Sequence, residues 1–427
     1  MINARTPMKF RDKLPSATDV VVIGGGVIGV FASLYLRRMG KQVLLCEKGR
    51  IAGEQSSRNW GWVRCMNRDP AELPLAMEAQ RLWKEVDREV HGRTGFTQSG
   101  IVYACSSQER MAKWDFWLDI AAQHGLESRF LSSAEVDERV VRHTSAPRYV
   151  GGLYTATDGR AEPWQAVPAV AELAQAEGVV VREECAVRAL DVQGGAITGV
   201  VTEDGTVHAD HVVVAGGAWS SMLLRRHGIN LPQLLVRGTV MATGAVPEVH
   251  VGNLKDEELA SRRREDGGYT LALPNTHHFV GPDSFRHASK YLPLLGTLPD
   301  VSLRPAAFAS PDSWSTKRTW REDEVTPFEQ TRVLDPPPDG ATVEKLRDLF
   351  ASRYPEVGRP TVSAAWAGMI DAMPDVVPVV DRVSAMPGLI VATGMSAHGF
   401  VRTRESSSHL PPHEAHVHPS HMRSAMP

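Results

Sequence analysis

Three glycines and one acid carry the clearest chemistry in this chain of 427 residues: Gly24, Gly26 and Gly29 in VVVIGGGVIG, and Glu47, 18 residues beyond the last of them. That spacing suits a pyrophosphate. Gly24 permits a tight turn, Gly26 lets the backbone come close to phosphate oxygens, and Gly29 lets a helix pack tightly against the preceding strand. The unpaired N–H groups at the helix N-terminus then face the phosphates. A carboxylate at Glu47 accepts hydrogen bonds from a ribose hydroxyl and disfavours a 2′-phosphate, which argues against NADP. Glycines at this spacing also occur in ordinary α/β turns. Strand, helix and acid together point to a bound ADP moiety and leave NAD and FAD both open.

Those residues need particular elements around them. Val20–Ile23 is a short unbroken apolar run, as a parallel strand covered on both faces requires. Val27–Met39 is apolar enough for a buried helix, and Gly40 stands where a left-handed cap belongs. QVLLCE is a second buried strand that ends on Glu47. A third is expected at Val212–Ala215, after a hairpin turning at Asp204–Gly205, and a fourth near residue 390. Ser106 with Glu109, and Ser132 with Glu135, fit capping boxes. Residues 234–333 alternate short strand-like runs with turns, as an antiparallel sheet does. The buried strands are far apart in sequence, so one sheet is assembled from distant pieces and a second domain is inserted into it.

Composition narrows the class. With 42% hydrophobic residues the chain can bury two cores, and a net charge of −3 offers no electrostatic case for nucleic acid or an anionic membrane. No window reaches the ~20 apolar residues of a transmembrane segment, and the N-terminus has no signal-peptide core. Cys46, Cys65, Cys105 and Cys185 form no CxxC pair. That argues for a reducing compartment, and a cytoplasmic enzyme is the expectation.

Four stretches together resemble the flavin-dependent D-amino-acid oxidase family, which includes glycine oxidase, sarcosine oxidase and amino-acid dehydrogenases. They are VVVIGGGVIG with Glu47, EQSSRNWG, HVVVAGGAWS, and WAGMIDAMPDVVPVV followed by LIVATGMSAHGF. The resemblance implies an α/β fold: a Rossmann-like FAD-binding domain with an inserted α+β substrate domain built on a mixed or antiparallel sheet. Residues 1–17 would be an N-terminal extension. Residues 18–95, 158–230 and 363–400 would form the FAD domain, 96–157 and 231–362 the substrate domain, and 401–427 a disordered tail. Carried over by position, Gly24, Gly26, Gly29, Glu47 and Lys48 hold the ADP half. Ser56, Ser57 and Arg58 lie by the pyrophosphate and flavin, Val187 contacts adenine, and Ala215–Gly216 form a second cofactor loop. Met395, Gly399 and Phe400 run along the flavin ring. FAD would be non-covalent, since the last cysteine is Cys185, far from the C-terminus.

The implied reaction is hydride transfer from a carbon bearing an amine to flavin N5, giving an imine that hydrolyses to an oxo acid. It needs no protein nucleophile. A substrate carboxylate needs a cation, best an arginine with two parallel donors. Where many relatives have the arginine of GxRPxTPD, this chain has Ile370. Arg64 and Arg237 are the candidate replacements, with a structural ion pair as the competing reading of each. Asp371 is a candidate for a cationic amine and His398 for tuning the flavin, against an exposed loop acid and a packed loop histidine. The electron acceptor, oxygen or a quinone, stays open, as do substrate and chirality. From Val401 onward the chain has no glycine, five serines and five histidines. The family's flavin-facing helix is therefore expected to be missing, and a catalytically impaired flavin-binding remnant is the alternative function. His413, His416 and His418 show no supporting ligand shell, so no metal site is expected.

Overall fold

The computed structural model describes residues 1–70, 72–140, 149–274, 276–292, 301–305 and 310–396. His398, Gly399, Phe400 and the tail with His413, His416 and His418 lie outside the described residues.

The first strand, β1 (Ala17–Ile23), enters the glycine turn, and α1 (Val27–Arg38) follows from it. The helix stops where Gly40, at φ +86°, turns the chain into β2 (Val43–Cys46). These elements sit in an eight-stranded sheet whose main path runs Val379–Arg382, Leu389–Thr393, Gly205–Val214, β1, β2, Val180–Arg182. Four of its pairings are parallel. The strands Val20–Val22, Leu44–Leu45 and Val212–Val214 are almost wholly buried, because helices or loops cover both faces. The Asp204–Gly205 hairpin is present, with Ala196–Thr202 paired antiparallel to the start of the strand Gly205–Val214.

A ten-stranded mixed sheet occupies the other side. Its central strand Leu234–Thr243 pairs antiparallel with Val362–Ala372, from Leu234 opposite Ala372 to Thr243 opposite Val362. Antiparallel pairing dominates the region 234–333, as its turn-rich pattern predicts, but Thr276–Val280 and Val301–Pro305 run parallel. The strand Val362–Ala372 belongs to this ten-stranded sheet, and the chain crosses to the eight-stranded sheet only at Val379. The crossing therefore falls after residue 372 and not at 363, because the long pairing with Leu234–Thr243 outlasts the expected boundary.

Local capping follows side-chain chemistry closely. Ser132 and Glu135 make the reciprocal capping box, whereas the helix Gln108–Ala112 is capped by Ser107 and not Ser106. The Ser106 hydroxyl is taken by Glu257 Oε1 at 2.9 Å, which leaves the next serine to receive the Arg110 amide.

Candidate cofactor and substrate site

The parallel strands β1, β2, Gly205–Val214 and Leu389–Thr393 all end on the same side, where the chain leaves β1 for β2 on one side of it in the sheet and returns to Gly205–Val214 on the other. Ligands bind at such switch points. At the floor, the Gly24 amide donates to the Cys46 carbonyl at 2.8 Å, and Ala215 donates to the Ile23 carbonyl at 2.9 Å. A Cβ on Gly24, at φ +114°, would stand 2.5 Å from the Ala215 carbonyl oxygen, so backbone fills the space a side chain needs. Gly29 is tighter still, its Cβ 1.9 Å from the Gly24 oxygen.

Helix α1 opens on this floor at Gly26 with no acidic residue in its first turn. Its positive dipole end is therefore unopposed by its own side chains. Ser56, on the short helix α2 (Gln55–Arg58), accepts the Val27 amide hydrogen at 2.8 Å. Glu47 lies at the end of β2, where Oε2 accepts from the Gly25 amide and Oε1 from the Gly49 amide, each at 2.7 Å. Desolvation pushes its carboxyl up to about 7, against the pull of Lys48 and those two amides. Two of about four acceptor positions on a carboxylate are used by these amides, and the others suit ribose hydroxyls. Glycine cradle, helix end and half-used carboxylate all fit an adenine dinucleotide.

The neighbouring candidates divide into those that face this crevice and those committed elsewhere. Val187 opens the strand Val187–Gln193, just past Cys185, whose amide bonds the Glu47 carbonyl at 2.9 Å. Gly216 is half-buried between Ala215 and the turn Gly217–Trp219. Lys48 turns away, its ammonium on Glu54 and on the Thr331 carbonyl at 2.7 Å, and 4.3 Å over the Trp219 ring. Ser57 is fully buried, and Arg58 is a buried hub that donates to the carbonyls of Gly53 and Ala367 and pairs with Asp335.

Strand register decides which residues of the second sheet can meet a substrate. Arg237 stands opposite Met369 and Leu235 opposite Asp371, while Val236 stands opposite Ile370 and Gly238 opposite Gly368. Side chains alternate along a strand, so Arg237, Met369 and Asp371 share one face and Ile370, Val236 and Gly238 the other. Gly368 meets Arg58 on that second face, and Trp366 donates its indole N–H to the Arg58 carbonyl at 2.8 Å. Val236, Gly238 and Ile370 are half-buried on this face, and the half-buried Trp60 packs against Val240, Ala242 and Trp366 further along the same two strands.

The two candidate arginines separate on this geometry. Arg237 packs away from that face, 5.0 Å over the Phe279 ring, and donates to the Pro337 carbonyl at 3.1 Å. Arg64 ends an aromatic row in which Trp60 meets Trp62 at 5.6 Å and Trp62 meets Tyr103 at 6.4 Å. Its guanidinium donates to the Tyr103 hydroxyl and the Met66 carbonyl, and only 2% of the residue is exposed.

Asp371 is no exposed loop acid. It is 1% exposed, and its Oδ2 accepts from the Gly394 amide at 2.9 Å, Gln233 Nε2 at 3.1 Å and Thr393 Oγ1 at 3.4 Å. Desolvation raises its carboxyl to about 6, opposed by backbone amides, including those of Gly394 and Met395, and by Gln55. Sequence reasoning gives no role to Gln55, although it lies inside EQSSRNWG, nor to Gln233, which no motif marks. It also misses the buried pair Arg262–Glu162, joined at 2.8 Å across 100 residues of sequence. That pair steadies Trp60, whose carbonyl accepts from Arg262 Nε at 2.7 Å. Among the described residues, no group of three or more His, Cys, Asp or Glu could hold a metal ion, and no helix is long and apolar enough to cross a membrane.

A family model described as FAD dependent oxidoreductase matches residues 19–403. The solved L-amino acid deaminase from Proteus myxofaciens superposes with a TM-score of 0.88 at 26% identity, over 94% of each chain. That from Proteus vulgaris gives 0.86 at 28% identity, over 92% of this chain and 94% of the other. Glycine oxidase from Pseudomonas putida is 24% identical over 394 residues, 90% of both proteins. Mitochondrial sarcosine dehydrogenase from Homo sapiens is 26% identical over 262 residues, 60% of this chain but 28% of its own length.

Proposed function

This chain belongs to the family of FAD-dependent oxidoreductases, and on that premise we propose that it oxidises the CH–NH group of an amino acid or related amine. The single observation that carries the substrate side of this reading is the apolar surface of Val236, Gly238 and Ile370, with Trp60 further along the same two strands and α2 adjoining at the rim of the glycine crevice. The likeness to glycine oxidase and to the L-amino acid deaminases supports the amine class.

FAD, when bound, supplies a two-electron acceptor that takes a hydride at N5. The residues of this chain bind, orient and dry the site. The eight-stranded side carries the cofactor, with Gly24, Gly26 and the α1 N-terminus on the pyrophosphate and Glu47 on the adenosine ribose. The ten-stranded side carries the substrate, held by apolar contact with Ile370, Val236 and Trp60, which exclude water from the reacting carbon. Hydride loss needs the neutral amine, and an apolar surface favours that form over the ammonium. The product imine then hydrolyses to an oxo acid and ammonia or an amine.

Ile370 offers no charge, so a carboxylate must be met from elsewhere. Arg64 is the favoured partner, because it stands at the end of the Trp60–Trp62–Tyr103 row, whereas Arg237 points to the opposite face of the sheet. Non-covalent binding of the cofactor is supported by the position of the last cysteine, Cys185, far in sequence from the segment Thr393–Ser396.

The test is an anaerobic screen of the purified protein against D- and L-amino acids and N-methyl amines, reading loss of visible flavin absorbance. One chemical class should bleach the flavin within minutes. A protein that binds FAD but is bleached by none of them would overturn the amine assignment. Comparing oxygen with a quinone as reoxidant then identifies the electron acceptor.

A further inference from the structure

Among the described residues, the strand Val362–Ala372 is bonded on only one side within its own sheet, to Leu234–Thr243. Its other edge lies against the rim of the cofactor crevice. There the Ala367 carbonyl accepts from Arg58 at 3.2 Å, and the Asp371 carbonyl accepts from the Ser396 amide at 2.9 Å. Asp371 is the carboxylate on this seam, and it gathers donors from three other segments. Gly394 and Thr393 come from the end of the strand Leu389–Thr393, and Gln233 precedes the strand Leu234–Thr243. Gln55 approaches from the start of α2.

The same atoms reach back to the glycine floor. Gln233 also donates to the Gly217 carbonyl at 3.2 Å, and the Thr393 hydroxyl lies 3.3 Å from that carbonyl and 3.0 Å from Ser220 Oγ. Gly217 follows directly on the Ala215–Gly216 loop that closes over Gly24. Beyond Asp371, the Ser396 hydroxyl receives the Met373 amide at 3.0 Å and donates to the Gly394 carbonyl at 3.2 Å. Gly394 adopts φ +71°, and a Cβ there would strike the Met373 side chain at 2.6 Å. The segment 393–396 is thus pinned to the second sheet at Asp371 and to the crevice at Gly217.

We infer that Asp371 is a cofactor-positioning residue, whose carboxylate fixes the segment Thr393–Ser396 against the crevice that receives FAD. This rests on the reading that FAD occupies that crevice. A buried carboxylate surrounded by donors holds backbone more firmly than a neutral acceptor does, since hydrogen bonds to an ionised group are the stronger ones. Its Oδ2 is taken up by the Gly394 amide, Gln233 and Thr393, so its role is exercised through the segment it holds.

The isosteric substitution Asp371→Asn keeps the shape and removes the charge, and it turns one acceptor into a donor facing Gln233. Asp371→Ala removes all three bonds, and Asp375→Asn serves as the exposed neighbouring control. Apoprotein is titrated with FAD, and hydrogen exchange is followed at the Gly394 and Ser396 amides and in β1. Asp371→Asn should weaken FAD binding by about tenfold or more. It should speed exchange at Gly394 and Ser396 while β1 stays protected, and Asp375→Asn should behave as wild type.

Wild-type affinity in Asp371→Asn, or exchange rising equally in β1, would overturn the inference, and Asp371→Asn decides alone if Asp371→Ala does not fold. Failure of the wild-type protein itself to bind FAD would instead overturn the cofactor reading on which this one stands.

Discussion

The Glu47 carboxylate accepts the Gly25 amide hydrogen at 2.7 Å, so the acid at the end of β2 braces the glycine turn from inside. Desolvation holds this carboxyl near 7 in the protein without ligand. Ribose hydroxyls donate to the ionised form, so FAD binding should expel the proton. Affinity for FAD should therefore rise as pH increases from 6 to 8, and Glu47→Gln should flatten that dependence and weaken binding by about tenfold or more. Fluorescence quenching of FAD by apoprotein across that pH range measures both.

The same shift fixes a stability trend of opposite sign. Because the folded value lies above the ordinary carboxylate value, the folded apoprotein holds more protons than the unfolded chain between about 4.3 and 7. The contribution of Glu47 to stability is thus full at the acid end and declines as pH rises through that window. Thermal melts of apoprotein should show Glu47→Gln gaining on wild type from pH 5 to pH 8. A constant difference would mean the carboxyl is not perturbed.

Gly24→Ala should remove FAD binding and lower stability by roughly 1–3 kcal/mol, because the residue needs φ +114° and its Cβ meets the Ala215 backbone at 2.5 Å. Gly40 provides the contrast: it also has positive φ, +86°, but nothing lies within 4 Å of an added Cβ. Gly40→Ala should cost about 1 kcal/mol and leave FAD affinity intact. Melting temperature with flavin content on the purified variants separates the two effects.

Gly238 sits in mid-strand, and a Cβ there would meet only Ile370 Cδ1, at an ordinary 3.5 Å. Packing therefore does not demand glycine, and an open surface above the backbone is what the residue provides. Gly238→Val should stabilise the strand by up to about 1 kcal/mol while reducing kcat/KM for bulky amines about tenfold or more, and less for small ones. Steady-state kinetics on two substrates of different size, with a thermal melt, test the opposed signs.

Local chemistry made the glycine turn readable: three glycines, a helix and an acid are contiguous, and each is required by the backbone path around one phosphate group. The Ser132–Glu135 capping box was legible for the same reason. Asp371 was not. Its neighbour Ile370 faces the open surface and Asp371 faces the seam, a distinction set by pairing with a strand some 130 residues earlier in the chain. A one-residue change of register would exchange their faces, and no local pattern fixes that register. The Arg262–Glu162 pair was hidden likewise, since each partner taken alone reads as an exposed charge.

Arg64 and Arg237 test the substrate side directly. Arg64→Lys keeps the charge but loses the planar fork and the reach to the Tyr103 hydroxyl, so KM for a carboxylated amine should rise about tenfold or more. An amine without a carboxylate should be little affected, which distinguishes recognition from damage to the fold. Arg237→Ala should leave KM within about twofold, because its guanidinium lies on the far face over Phe279, and should cost about 1 kcal/mol of stability through loss of that stack. Should Arg237→Ala raise KM while Arg64→Lys does not, the substrate lies on the opposite face of the strand Val362–Ala372 from the one that carries Ile370.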